Sequence, residues 1–291
     1  MSLLKSTKGF FAAIIVLILV VTAVVYKYIL WVDAELWKKN IAFINEATYQ
    51  QAETITSHIV SMQDVMERRR KGLAMVDSTQ RQSIERMLFI WKDKEKYTNS
   101  FIVGDESSII YTGNGFDKTA VRAINRKAET GFVPPHLCTH CGQRVINFYQ
   151  RISTRDGKKG YLVTEVALSE LISRITDNFY NGQGVSYITD TSGMVLMRPM
   201  NEDSGRTLSS FIDILRENDN PKDKVDTLRD YIQGHGNGYA VLKINDESNL
   251  IYYRPIKGTD WMLISIVPES ALAAETMGIL NRTFVMLIVI M

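Results

Sequence analysis

Cysteine is nearly absent from this chain of 291 residues, which contains only Cys138 and Cys141. Two cysteines cannot form a disulfide-stapled scaffold, so we expect a hydrophobic core to stabilise the fold. An excess of one charge is also missing, because 34 Lys and Arg residues oppose 32 Asp and Glu residues, for a formal net charge of +2. This balance gives no electrostatic reason to expect a nucleic-acid partner.

The motifs of common enzyme classes are missing as well, since the sequence contains no GxSxG, HExxH, Walker or kinase signature. The glycine-rich segment 234–238 precedes a predicted strand and lacks the strand-before, helix-after context of a nucleotide-binding loop. Asp190, Asp203 and Asp246 are typical of turns rather than of a catalytic pair. We therefore predict that this chain is not itself an enzyme.

Proline is absent between Ala34 and Tyr97, and Gly72 is the only glycine there. Apolar residues recur at steps of three and four, which predicts one helix face. We predict a long helix to about Arg70, followed by a second helix over about 78–92. The apolar positions of the long helix are Ile41, Ile44, Ala52, Ile55, Ile59, Met62 and Met66.

Two apolar runs bracket this region and the rest of the chain. The run from Gly9 to Tyr26 has no charge, and extension to Trp31 gives the roughly 20 residues that a membrane helix needs. It is longer than the apolar region of a signal peptide and lacks a small-x-small cleavage site, so we expect a retained anchor. Residues 284–291 are also apolar, and we expect them to begin a second membrane helix. Lysines flank the first run on both sides, so charge alone does not set the orientation.

After Tyr97 the apolar period changes from helical spacing to two, as in β-strands. Two successive regions show the same order: a hairpin, a variable insert, further strands and a helix. We predict an α+β fold in which each region forms an antiparallel sheet covered by helix on one face. Within the first region, residues 117–144 are predicted to be irregular, with a short helix near 119–127 and Pro134-Pro135 as a breaker.

Four stretches resemble the double Cache family of sensor domains: SFIVGDESSIIYTG (100–113), FYQRISTRDGKKGYLVTEVALSELISRI (148–175), SYITDTSGMVLMRP (186–199) and LIYYRPIKGTDWMLISIVPESAL (250–272). The resemblance covers most of residues 33–275. It implies two tandem PAS-like modules behind one long helix. It also implies that residues 32–283 are the extracytoplasmic part of a receptor in the bacterial plasma membrane. Such modules bind small molecules in the membrane-distal unit and control histidine kinases, diguanylate cyclases or chemoreceptors.

The predicted organisation follows from the two apolar runs and this resemblance. It comprises a cytoplasmic tail (1–8), a first membrane helix (9–31), the long stalk helix and second helix (32–98), the distal unit (99–180), the proximal unit (181–268), an exit helix (269–283) and the start of a second membrane helix (284–291). We also expect a homodimer through the apolar face of the long helix. Ligand binding would then displace a helix and signal to an output domain outside this sequence.

The segment His136-Leu-Cys-Thr-His-Cys141 holds both cysteines and two of the four histidines. His136, Cys138, His140 and Cys141 are therefore candidate ligands of a transition metal such as zinc. The alternatives are a Cys138–Cys141 disulfide, a plain structural turn or a redox-responsive pair. A c-type haem site is excluded because glycine follows Cys141. The competing function is accordingly a membrane-anchored metal-binding or redox-responsive protein.

The predicted strand 145–152 alternates polar and apolar residues, so Asn147, Tyr149 and Arg151 share one face. That face is either a ligand-binding surface or a solvated strand face. The amino-acid-binding subset of the resembled family uses an arginine, a tryptophan and a tyrosine together, and no tryptophan lies between Trp91 and Trp261. We therefore do not expect amino-acid binding. The candidate ligand-binding residues are Tyr111, His136, His140, Asn147, Tyr149 and Arg151.

Overall fold

The computed structural model describes residues 2–94, 98–105, 109–169, 179–198 and 210–273. Its helices are α1 (Ser2–Leu73), α2 (Arg81–Lys94), α3 (Lys118–Ala123), α4 (Phe211–Glu217) and α5 (Lys222–Gln233). The strands of the first unit are β1 (Thr98–Gly104), β2 (Ile110–Thr112), β3 (Thr130–Leu137), β4 (Arg144–Ser153) and β5 (Lys159–Ala167). Those of the second are β6 (Val185–Asp190), β7 (Val195–Met197), β8 (Gly238–Ile244), β9 (Glu247–Pro255) and β10 (Trp261–Pro268). Residues 269–273 are helical.

The two units have the same topology. The distal sheet has the order β2-β1-β5-β4-β3 and the proximal sheet the order β7-β6-β10-β9-β8, with antiparallel pairing throughout the strand pairs of both. In each sheet, the last strand of the unit lies at the centre, beside the first strand: β5 beside β1, and β10 beside β6. The predicted α+β fold, a long helix followed by two antiparallel modules, is confirmed.

Helix α1 is continuous over 72 residues and ends at Leu73, close to the predicted end. The absence of proline allows this length, because no residue breaks the backbone hydrogen-bond ladder. Its apolar face packs on the chain's own sheets, with Ile44 and Ile55 fully buried and Ile59 3% exposed. This face is therefore buried within the chain and cannot form the dimer interface that was predicted from it.

Within the described residues, α1 is the one helix that is long and apolar enough to cross a membrane, judged by length and composition. The side chains of its apolar segment point outward, and Leu17, Leu19 and Val24 are each more than half exposed. The second apolar run, 284–291, and most of the predicted exit helix lie outside the described residues.

Strand β3 corrects one prediction. The interval 117–144 was expected to be irregular apart from a short helix, yet residues 130–137 form an edge strand beside β4. Pro134 and Pro135 lie in this strand, where the register shifts between Val133 and His136. Proline lacks a donor, but an edge strand at a bulge does not require one from every residue. The short helix itself is present as α3.

A shared core joins α1 to both units. It contains Ile55 and Ile59 from α1, Phe148 from β4 and Trp261 from β10. The rings of Phe132 and Trp261 meet edge to face, with centroids 4.7 Å apart. Side chains from both sheets and from α1 therefore fill one core, and the distal unit is in direct contact with α1.

Gly160 lies where the backbones of β1 and β5 approach each other closely. A Cβ atom at this position would lie 2.6 Å from the Val103 carbonyl oxygen, which is backbone and cannot rotate away. We expect Gly160→Ala to lower the free energy of unfolding by about 1–3 kcal/mol, as measured by thermal or denaturant unfolding. Gly72→Ala is the matched control. Its Cβ would be 3.4 Å from the flexible Met87 side chain within a helix, so equal or higher stability is expected. Equal losses in both variants would contradict this explanation.

Candidate ligand site in the distal unit

The distal sheet separates two sets of side chains. Ile146 and Phe148 of β4 point toward α1, whereas Asn147 and Tyr149 point toward α3. The register places Asn147 directly opposite Glu165 of β5. Strand β4 therefore alternates as predicted, and Asn147 and Tyr149 lie on the face of the sheet that is covered by α3.

Asp117 is the centre of a buried polar cluster on that face. It is fully buried and caps the N-terminus of α3 by accepting a hydrogen bond from the Thr119 amide, 3.0 Å away. The same carboxylate accepts from the Thr139 amide at 3.3 Å, from the Thr139 hydroxyl at 3.0 Å and from Asn147 Nδ2 at 3.1 Å. His136 Nε2 makes a further short contact with Asp117 Oδ2.

Burial alone would raise the pKa of Asp117, but the contact from His136 and the hydrogen bonds from Thr119 and Thr139 outweigh it and lower the pKa. The other ring nitrogen of His136, Nδ1, lies 2.7 Å from the Pro134 carbonyl oxygen, which can only accept. Both ring nitrogens therefore face oxygen atoms, and these two contacts fix the orientation of the imidazole ring.

Asn147 is fully buried, and its Oδ1 atom has no hydrogen-bond partner among the described residues. Leaving a buried acceptor unpaired costs about 1–3 kcal/mol. Its Nδ2 atom is already held by Asp117, so the side chain cannot turn to satisfy both ends. The free oxygen marks the point in the cluster where a ligand bearing a donor would gain a hydrogen bond without displacing one.

Cys138, Cys141 and Glu165 form an adjacent group whose ligand atoms lie within 4.8 Å of one another. Cys138 is 2% exposed and Glu165 5% exposed, and the Cys138 thiol donates to Glu165 Oε2 at 3.3 Å. Burial raises the pKa of Cys138 to about 12 and also raises the pKa of Glu165. Both cysteines are free thiols in this structure.

Arg151 and Tyr149 lie along β4 from this cluster. The Tyr149 ring is buried and meets Tyr161 edge to face at 6.0 Å. Arg151 Nη2 lies 3.4 Å from Asp105 Oδ2, and its guanidinium is 5.7 Å from the centre of the Tyr161 ring. Arg126 approaches the same ring from 5.9 Å and donates to the Gly104 carbonyl. Two arginines thus share one tyrosine at the end of the face away from Asp117.

Comparison with known proteins supports the fold and supplies no close relative, since no family model and no curated protein matches the chain. Solved structures do match. The ligand-binding domain of Mlp24 with asparagine has a TM-score of 0.61 at 16% identity, covering 84% of this chain and 98% of that one. The ligand-binding domain of the Pseudomonas fluorescens chemoreceptor CtaA with L-isoleucine has a TM-score of 0.64 at 12% identity, covering 83% and 98%. That of the Pseudomonas aeruginosa chemoreceptor PctC with GABA has a TM-score of 0.59 at 16% identity, covering 78% and 99%. The chain has the double Cache fold. At these identities the likeness concerns the fold alone.

Within this double Cache fold, the predicted site residues divide into groups. His136 and Asn147 meet at Asp117, and Cys138 and Cys141 meet at Glu165. His140 is exposed, and its ring lies against Gly115. Tyr111 lies on the opposite face of the distal sheet, where its hydroxyl donates to the Ser78 carbonyl at 3.0 Å. The structure therefore does not bring Tyr111 together with the other candidates.

Asp117 and Glu165 lie at the centres of these two groups but were not among the predicted residues. Glu165 had a detectable signal, because it is the only charged residue in the apolar strand 161–168. Asp117 had a weaker one, as an acidic residue just before a short helix. Its four partner residues, Thr119, His136, Thr139 and Asn147, come from three separate segments, which no local pattern in the sequence connects.

A cleft of the double Cache fold lies between the two units and α1. This cleft has a volume of about 1020 Å³ and is lined by Asp64 and Glu67 of α1, Phe132 and Tyr149 of the distal unit and Asp260 of the proximal unit, among others. Tyr149 is the one candidate residue that lines it. The cleft and the buried polar cluster are therefore neighbouring but different places, in contact through Tyr149.

Proposed function

We propose that this chain is the sensing region of a bacterial transmembrane receptor, with residues 32–283 outside the cytoplasm. A small molecule binds the distal unit on the α3 face, and the response passes along α1 through the plasma membrane. The output domain, a histidine kinase or a diguanylate cyclase, lies beyond this sequence. Support comes from the double Cache fold, the exposed apolar segment of α1 and the buried polar cluster around Asp117.

The observation that carries the proposal is the unpaired Asn147 Oδ1 atom beside the buried Asp117 carboxylate. Both groups accept hydrogen bonds, so the cluster suits a ligand with an ammonium, amide or hydroxyl donor. The structures with this fold named above contain asparagine, L-isoleucine and GABA, each of which carries an amino group. We therefore propose a small amine-bearing ligand.

A constraint on the ligand follows from the positions of the arginines. Asn147 and Arg151 are four residues apart on β4, which corresponds to about 13 Å. The amino and carboxylate groups of an α-amino acid are far closer together than this. The Arg151 guanidinium lies over Tyr161, its cross-strand neighbour, and near Asp105, so in this arrangement an α-amino acid does not span from Asn147 to Arg151. A longer amine, or one without a carboxylate, fits the cluster better.

Strands β4 and β5 each connect the proposed site to α1, because neighbouring residues of one strand face opposite sides of the sheet. In β5, Glu165 faces the site while its neighbour Thr164 faces α1, where Arg69 Nη1 donates to Ser100 Oγ at 2.8 Å and contacts Thr164 Oγ1 at 3.4 Å. In β4, Gln150 follows Tyr149 and donates to Glu67 Oε2 at 2.8 Å. A ligand shifts α1 through these contacts only if it binds the two packings with different affinity.

Dimerisation remains part of the proposal, but through a different surface from the apolar face of α1. Phe43 and Val60 of α1 are 56% and 49% exposed, and side chains of this exposed side are the ones available to a second copy. The buried residues Ile55 and Ile59 are not.

Ligand binding is tested by thermal unfolding of the detergent-solubilised full chain against a panel of amines, diamines and amino acids. A ligand that binds only the folded state at 100 times its Kd adds about 2.7 kcal/mol of stability, which raises the Tm measurably. We expect Asn147→Ala to weaken binding of an ammonium ligand at least about tenfold, since a hydrogen bond that involves a charged group is worth about 1.5–3 kcal/mol. Tyr111→Phe, on the opposite face, is the control and should bind as the unmodified protein does. If no compound in the panel raises the Tm, or if Asn147→Ala binds unchanged, the proposed site is wrong.

A further inference from the structure

The loop between β3 and β4 holds its two cysteines in an ordered turn. The Cys138 amide donates to the Gln143 carbonyl at 2.8 Å, and the Gly142 amide donates back to the Cys138 carbonyl at 3.1 Å. Gly142 has φ +69°, a conformation that favours glycine. These bonds close the hairpin and fix the direction of both cysteine side chains.

Two backbone amides point at the sulfur of Cys138, as they commonly do at metal-bound cysteines. Cys138 Sγ accepts hydrogen bonds from the amides of His140, at 3.3 Å, and Cys141, at 3.2 Å. Two amides that point at one sulfur favour its negatively charged form, which is the form that binds metal. The turn thus combines Cys-x-x-Cys-Gly, a left-handed glycine and two amide-to-sulfur hydrogen bonds.

Glu165, on strand β5, supplies a third candidate ligand atom, a carboxylate oxygen. Glu165 is 5% exposed, and its carboxylate receives hydrogen bonds from the Cys138 and Cys141 thiols. Thiols are weak donors, so burial of this carboxylate is costly, and a cation would reduce that cost.

The spacing of these atoms suits zinc. The three ligand atoms lie within 4.8 Å of one another. A tetrahedral zinc ion with Zn–S bonds of about 2.3 Å places two sulfurs about 3.8 Å apart, so only a small contraction is required. Two thiolates with one carboxylate favour zinc over calcium or magnesium, which prefer all-oxygen ligands.

We propose that Cys138, Cys141 and Glu165 bind one Zn²⁺ ion, with water in the fourth position. This set differs from the one predicted from the sequence. His136 is held between Asp117 and the Pro134 carbonyl, and His140 lies at the surface beside Gly115. The metal ties the β3–β4 hairpin to β5 next to Asn147. The proposal does not depend on the sensing function, because a structural zinc ion would occupy the same ligands.

The test uses the reduced, detergent-solubilised full chain, titrated with Zn²⁺ against a chromophoric chelator and separately with Co²⁺. We expect one metal per chain and, with cobalt, the thiolate-to-metal charge-transfer band and intense visible absorption of a tetrahedral site. Cys141 is exposed, so Cys141→Ser should fold normally. We expect it to weaken zinc binding at least about tenfold, since even loss of an outer-shell partner costs 10–100-fold. Glu165→Gln should also weaken it, whereas His140→Ala should not.

Three results would overturn the proposal. The first is absence of zinc binding or of the cobalt band in the reduced protein. The second is a Cys138–Cys141 disulfide, seen as a loss of two hydrogen atoms in the mass of the purified chain, that re-forms in air even when one equivalent of zinc is present. The third is unchanged zinc affinity in Cys141→Ser. Binding of the amine panel is measured on Cys141→Ser as well, so that failure of the metal site and failure of the ligand site are distinguished.

Discussion

Ile55→Asp is expected to unfold the protein, whereas Val60→Asp, five residues further along the same helix, is expected to leave it folded. Ile55 is fully buried in the core that joins α1 to both sheets, and Val60 is 49% exposed. Removal of a buried isoleucine costs about 2–5 kcal/mol, and an unpaired buried charge adds several more. The sum reaches the 5–15 kcal/mol that stabilises a typical domain. Circular dichroism with thermal unfolding of both variants measures the difference.

The same pair of variants decides how signalling data on α1 should be read. Loss of signalling in Ile55→Asp would not show that α1 carries the signal, because an unfolded sensor is silent for a simpler reason. Val60→Asp adds the same charge to a folded protein, and a signalling defect there would concern the exposed side of α1. If Ile55→Asp instead melted within a few degrees of the unmodified protein, the packing of α1 on the two sheets would be wrong.

The sequence predicted those parts of the fold that depend on local patterns. The spacing of Ile44, Ile55 and Ile59 predicted α1, because a helical stripe is visible in a single segment. The alternation of residues 145–152 predicted which side chains of β4 share a face. Strand β3 was missed because two prolines in a row normally exclude a strand. Only its position at the sheet edge, a property of the whole sheet, makes them acceptable.

The site was predicted less completely for a related reason. His136 and Asn147 were found as polar residues near a loop and on a strand, but Asp117, which holds them together, is 19 and 30 residues away in the chain. Tyr111 was placed with them by residue type. Its register opposite Ile102 puts it on the α1 face instead, and a shift of one residue would have reversed this. The strand pattern shows which residues share a face, whereas the pairing of strands decides which faces meet.

Asp117→Ala is expected to abolish ligand binding and to lower the free energy of unfolding by about 3 kcal/mol or more. Asp117 is fully buried and accepts from two amides, one hydroxyl, the Asn147 amide and His136. Its loss removes an N-cap worth about 0.5–2 kcal/mol and leaves further donors buried and unpaired at about 1–3 kcal/mol each. At about 2–4 °C per kcal/mol for a chain of this size, the Tm should fall by roughly 6–12 °C.

Asp156→Ala is the matched control, because Asp156 is an aspartate of the same unit that also accepts several hydrogen bonds. Its partners are the Ser78 amide at 2.9 Å, the Ser78 hydroxyl and the Thr154 hydroxyl at 2.7 Å, all at an exposed turn on the side of α2. We expect it to lower the Tm by less than Asp117→Ala does and to leave ligand affinity unchanged. A difference in ligand affinity between the two variants therefore reports the site rather than general loss of stability.

Asp117→Asn separates the charge of the cluster from its shape. The amide can keep its oxygen toward Thr119 and Thr139, but it then turns its NH2 group toward Asn147 Nδ2, which is itself a donor. We expect intermediate stability together with complete loss of binding of an amine ligand, because the carboxylate that attracts the ammonium group is gone. If Asp117→Asn bound the ligand as tightly as the unmodified protein, the charge of Asp117 would serve only to hold His136. The ligand would then have to bind elsewhere, and the cleft lined by Tyr149 and Glu67 would become the better candidate.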